Sequence, residues 1–116
     1  MSCVTRKFFL SFAFFVLYIN SASAITVEEY QQAKVREKDA LEFYIYGLGR
    51  GFFWSNIVLM EEGQKPFYCP PEKIALNVSN YMSVIDKRLS SSDDSNRKDL
   101  PIALVLYFGL ADTFPC

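Results

Sequence analysis

Apolar residues recur at helical spacing along most of this chain, and the breaks between them are marked by capping and turn residues. Thr26-Val27-Glu28-Glu29 reads as a capping box, the Thr26 hydroxyl accepting from an early backbone N–H while Glu29 reaches back three residues. A helix is predicted to start there, with Val27, Tyr30 and Ala33 as its apolar stripe. The charged group Lys34 to Asp39 reads as a solvated face or a helix junction. From Ala40 to Met60 the pattern changes. Leu41, Ile45, Leu48, Phe52 and Leu59 fill one face at 100° per residue, and Phe43, Tyr46, Phe53, Trp54 and Ile57 fill much of another. Only Glu42, Gly49 and Asn56 leave a polar strip, so this helix is expected to be covered on several sides.

Gly47, Gly49 and Gly51 form G-x-G-x-G inside that segment. A phosphate-binding loop needs G-x-G-x-x-G between a strand and a helix, and no strand precedes these glycines. Three helical glycines cost about 3 kcal/mol relative to alanine, so something must offset them. Gly47, Gly51 and Ser55, four apart, are expected to form a smooth groove for a second helix backbone, with a kink as the rival account. A membrane span is the competing reading of residues 40 to 60, but Arg50 in mid-segment costs about 2.5 to 3.5 kcal/mol at a bilayer centre.

Gly63 is placed as a left-handed helix terminator. Pro66, Pro70 and Pro71 then exclude regular helix from a connector that contains Cys69. Asn77 can cap the next helix, whose Val78, Tyr81, Met82, Ile85 and Leu89 form one apolar face. Asn77-Val78-Ser79 also matches a glycosylation sequon, a pattern common by chance. Ser90 to Asn96 reads as a solvated loop. Asp99, as a carboxylate cap beside Pro101, is expected to start a last, almost wholly apolar helix that Pro115 must stop before Cys116. The fold class predicted is all-α, a small bundle of about four helices.

The N-terminus changes how composition is counted. Arg6 and Lys7 precede an apolar run from Phe8 to Ile19, and Ala22-Ser23-Ala24 carries the small residues of a signal-peptidase site. Residues 1 to 24 are therefore expected to be a cleaved signal peptide, cut between Ala24 and Ile25, too short to anchor in a bilayer that needs roughly 20 apolar residues. The single domain, residues 25 to 116, would work in the periplasm with no membrane attachment. It keeps ten Lys and Arg against thirteen Asp and Glu, a net charge of −3. That balance disfavours nucleic acid, which is met by a concentrated basic patch, and suits a basic protein partner. Of three cysteines Cys3 leaves with the signal peptide, so in an oxidising compartment Cys69 and Cys116 are expected to pair, two unpaired thiols being the alternative.

Candidate chemistry is sparse. The chain has no histidine, which removes the commonest general base and the commonest metal ligand. Oxidised cysteines are poor nucleophiles, and the carboxylates lie in charged stretches without a pair that sequence places together. No catalytic residue, metal site or cofactor is assigned, and an enzyme is not expected.

Tyr44-Ile45-Tyr46-Gly47 followed by Gly51, then Phe67-Tyr68-Cys69-Pro70-Pro71, an amphipathic helix, and the terminal Phe114-Pro115-Cys116 resemble the Rap/Tai immunity-protein family across nearly the whole of residues 25 to 116. The chain lacks the further cysteine pair that many members carry in and before the first glycine-containing helix. The resemblance implies an exported helical protein that binds a peptidoglycan amidase toxin delivered by a type VI secretion system and inhibits it by occlusion. A small periplasmic helical chaperone or structural binding module is the alternative. Aromatic residues and arginine dominate binding hot spots, so Tyr46, Arg50, Phe53, Trp54, Ile57 and Tyr68 are the candidate partner-binding residues. The same face, without Tyr68, is expected to support a homodimer, burial in the core being the rival use.

Overall fold

The structure, a computed structural model, describes residues 24–116; the rest of the expected signal peptide lies outside the described residues. Among the described residues four α-helices follow one another: α1 (Val27–Arg36), α2 (Lys38–Glu61), α3 (Val78–Ser91) and α4 (Ile102–Thr113), with a short 3-10 turn (Asp93–Asn96) before α4. The fold is all-α, a four-helix domain closed by a disulfide between Cys69 and Cys116.

Local chemistry sets the helix ends. Thr26 and Glu29 make the reciprocal box, the Glu29 N–H donating to the Thr26 hydroxyl and the Thr26 N–H to the Glu29 carboxylate at 2.8 Å. Asn77 and Asn80 do the same for α3. Gly63, at φ +72°, terminates α2, its N–H donating to Met60 O and the Gln64 N–H to Leu59 O, the paired bonds of a Schellman motif. Between α1 and α2 only Glu37 leaves helical geometry, at φ −140°, so the charged stretch there is a junction. It is not all solvated: the Lys34 ammonium donates to Asp86 at 3.0 Å and the Tyr30 hydroxyl to the same oxygen at 2.9 Å, tying α1 to α3.

One expectation about the last third is corrected and another is refined. Asp99 does not cap α4. Pro101 takes the N-cap position, and the Ile102 N–H donates to the Ile25 carbonyl at 2.8 Å, while the Val27 N–H donates to the Leu100 carbonyl at 2.9 Å. The extended start of the domain thus supplies the acceptor that a side-chain cap would have offered. Ser90 to Asn96 is largely exposed, as expected, but it is not irregular: Ser90 and Ser91 end α3, Asp93–Asn96 form the 3-10 turn, and Ser92 and Asp94 are half-buried. Asp94 is drawn onto Arg88, 2.8 Å from Nε, and Asp112 at the end of α4 pairs with the same guanidinium.

Tyr30, Leu41, Ile45, Tyr68, Tyr81, Ile85, Ile102, Val105, Leu106 and Leu110 form the fully buried centre. The most extensive packing is α3 on α4, where a Cβ built on Gly109 would lie 2.7 Å from Val84 Cγ1, so the missing side chain lets the two helices close. No described helix is long and apolar enough to cross a membrane.

Candidate functional site

α2 runs for 24 residues, about 36 Å at 1.5 Å per residue. Its inner side is set by Leu41, Ile45, Gly49 and Asn56, all buried. Two of the three residues expected to form a polar strip, Gly49 and Asn56, are therefore buried, which corrects the reading of that face, while Glu42 is half-buried. Gly49 is buried because the Tyr81 ring occupies the space of its absent side chain. Asn56, 4% exposed, is buried because its amide serves the connector backbone: Nδ2 donates to Tyr68 O at 2.7 Å and Oδ1 accepts from the Phe67 N–H at 3.0 Å. An amide offers one donor and one acceptor side by side, as a neighbouring strand would.

The same contacts explain why Tyr68, expected on the partner-binding surface, is buried instead. The connector crosses the inner side of α2, the Cys69 N–H donates to Phe114 O at 2.8 Å, and the disulfide fixes the C-terminus beside it. The Phe67 ring stacks on Tyr107, with centroids 4.7 Å apart, and meets Phe52 edge-on at 5.6 Å. Tyr68 is driven inward and left 1% exposed, its hydroxyl without a hydrogen-bond partner among the described residues. Burial pushes that hydroxyl's pKa up to about 12, repulsion from Tyr81 adds to it, and the positive charge of Arg50 opposes the rise. As an anchor for a partner it is unavailable without unfolding the connector.

The remaining five candidates do share one side of α2, within roughly 100° of arc at 100° per residue. Tyr46 and Trp54 are 46% and 57% exposed, while Arg50, Phe53 and Ile57 are half-buried. The Arg50 guanidinium carbon lies 4.6 Å from the Phe53 ring centroid and 5.6 Å from that of Trp54, and the two rings meet edge-on at 5.3 Å. Each cation–π contact at an exposed site contributes about 0.5–1 kcal/mol, enough to hold the long arginine side chain along the helix rather than leave it free. The outcome is a pre-ordered aromatic and guanidinium surface.

Phe43, 80% exposed, and Val58 extend the same side at its two ends. Both were missed as candidates, though projection at 100° per residue already places residue 43 beside 50 and 54. Gly47 and Gly51 lie on this outer side with no atom near a built Cβ, and α2 runs unbroken through them. Among the described residues no second helix backbone approaches Gly47 or Gly51.

Among the described residues no three potential ligands converge as a metal site would require, and the Asn56 amide and the Tyr30 hydroxyl are engaged in holding the connector and the helix pair α1–α3. The arrangement offers surface recognition. Compared with known proteins, the chain matches no family model, no curated protein and no solved structure. Fold and surface together define a disulfide-closed helical domain with one exposed aromatic face.

Proposed function

We propose that this protein is an exported immunity protein that binds a peptidoglycan amidase toxin in the periplasm and inhibits it stoichiometrically by covering its active site. The observation that carries the binding part is the outer side of α2, where Tyr46, Arg50, Phe53, Trp54 and Ile57 stand together in a small domain whose core is already filled from the opposite side. Large exposed apolar surface bordered by charge marks interaction sites, and these residue types supply most binding energy in interfaces. The partner class comes from the Rap/Tai resemblance alone. Occlusion needs shape and charge complementarity, and no catalytic group.

The test is co-production of the exported protein with peptidoglycan amidase toxins directed to the periplasm. Protection of the cells and co-purification at a fixed ratio are expected, and Trp54→Ala with Arg50→Ala should abolish both. Binding to no amidase, with intact folding, would move the reading to a small periplasmic chaperone or structural binding module.

A further inference from the structure

At the N-terminal half of α2 the outer side turns into a cleft of about 270 Å³ against the start of α3, lined by Asp39, Glu42, Phe43, Tyr46 and Val78. Small-molecule sites usually span about 300–1,000 Å³, so this space suits one long side chain better than a cofactor. Its two charged lining residues are both acidic. Glu42 pairs with Lys38, whose ammonium lies 3.7 Å away on a side chain that is 68% exposed; such an exposed pair contributes little and yields easily to a competitor.

The rest of the molecule shows what this combination accommodates. Arg50 lies over Phe53 and Trp54, Arg88 over Phe108, and Lys34 over Tyr30. Phe43 and Tyr46, at 80% and 46% exposure, have no such cation over their rings among the described residues. From the volume, the acidic lining and these two free aromatic faces we infer that the cleft receives a single basic side chain, lysine or arginine, projecting from the protein partner. Its methylenes would lie along Phe43 and Val78 and its charged end would meet Asp39 and Glu42, as amphipathic basic side chains do at interfaces. The domain's net charge of −3 steers such a partner toward it. The partner rests on the binding-protein reading above; the test below uses no toxin, so the two can fail separately.

The measurement is a two-dimensional NMR titration of the purified, disulfide-bonded protein with acetyl-Gly-Arg-Gly-amide and with its citrulline counterpart, which keeps the shape and removes the charge. Saturable shifts confined to Asp39, Glu42, Phe43, Tyr46 and Val78 are expected with the arginine peptide. Affinity for citrulline should be about tenfold weaker, the sum of one cation–π contact and one exposed ion pair, and the doubly neutralised Asp39→Asn, Glu42→Gln protein should lose the ion-pair share, narrowing the difference to about threefold. Equal response to both peptides would overturn the inference by showing an apolar site. Shifts centred on Glu28, Glu29 or Asp112 would show unspecific charge attraction instead. Concentration-dependent shifts of the cleft residues without peptide would assign the cleft to a second copy of this chain.

Discussion

Tyr81 of α3 stands where a side chain on Gly49 of α2 would be: a Cβ built on Gly49 would fall 2.4 to 2.5 Å from three atoms of the ring. The ring is 1% exposed and packed on all sides, so it cannot move aside cheaply. The helix-weakening glycine is thereby offset by the approach of α3. Gly49→Ala should destabilise the domain by about 1–3 kcal/mol through overpacking, despite its better helix propensity. Gly47→Ala and Gly51→Ala, on the open side, should each stabilise it by up to about 1 kcal/mol. Urea unfolding of the three variants checks this through the opposite signs.

Apart from the tyrosines, Asn56 is the one buried polar side chain among the described residues. Removing its amide leaves Tyr68 O and the Phe67 N–H without the partners that face them, and each unsatisfied buried group costs about 1–3 kcal/mol. Asn56→Ala should therefore cost about 2–4 kcal/mol, and Asn56→Asp no less, because a carboxylate cannot donate to Tyr68 O. Equilibrium unfolding, with Tyr68 exposure followed by its ultraviolet absorbance, should show the connector loosening with the domain.

The bridge between Cys69 and Cys116 closes a loop that includes α3 and α4. Replacing both cysteines by serine should lower stability by about 2–4 kcal/mol, the usual effect of losing a bridge over a loop of this size. The Asn56 clamp and the Phe67 and Tyr107 stack remain, so the variant should still fold at low temperature. A denaturation midpoint unchanged from the bridged protein would remove the disulfide from the account.

Asp94 is held below the ordinary carboxylate range, first by its hydrogen bond from Arg88 and with help from the Ser92 hydroxyl, burial opposing. A carboxyl with a depressed folded-state pKa contributes stability that is fully present above its unfolded value, about 3.9, and is lost as pH falls through the lower folded value. Tyr30, Tyr68 and Tyr81 behave in the opposite sense. Burial raises each of them, joined at Tyr30 by the hydrogen bond to Asp86. Their contribution is full below about pH 10 and is lost as pH rises toward the folded values. Stability measured against pH should fall at both ends, and Asp94→Asn should flatten the acid limb while leaving the alkaline limb in place.

Trp54→Ala and Arg50→Ala test the outer side of α2 separately from the fold. Their side chains contact each other and Phe53, and Trp54 is neither in the hydrophobic core nor packed against it, so unfolding free energy should change by no more than about 1 kcal/mol. Binding to a partner should weaken by about 2 kcal/mol or more, as for hot-spot residues. Sedimentation at micromolar concentration adds a further check: self-association through this side should be lost in both variants. A monomeric wild-type protein would reserve the surface for another partner.

Much of the backbone plan was readable in the chain because its signals are local. The Thr26 and Glu29 box, the Asn77 cap and the left-handed Gly63 each act within a few residues, so residue type and spacing suffice to place them. The pairing of Cys69 with Cys116 followed from their being the two cysteines after the expected cleavage point. The side of α2 that faces inward was a different matter. A helix that is apolar nearly all round carries no directional signal of its own, and its neighbours decide the outcome. Tyr81 fills the gap at Gly49, and the connector's backbone recruits the amide of Asn56, so two residues that look polar or empty in sequence are buried. The same crossing takes Tyr68 out of reach of a partner, and the Ile25 carbonyl does for α4 what Asp99 was expected to do. Each of these outcomes depends on groups far apart in the chain meeting at hydrogen-bond or van der Waals distance, which only the packed structure can specify.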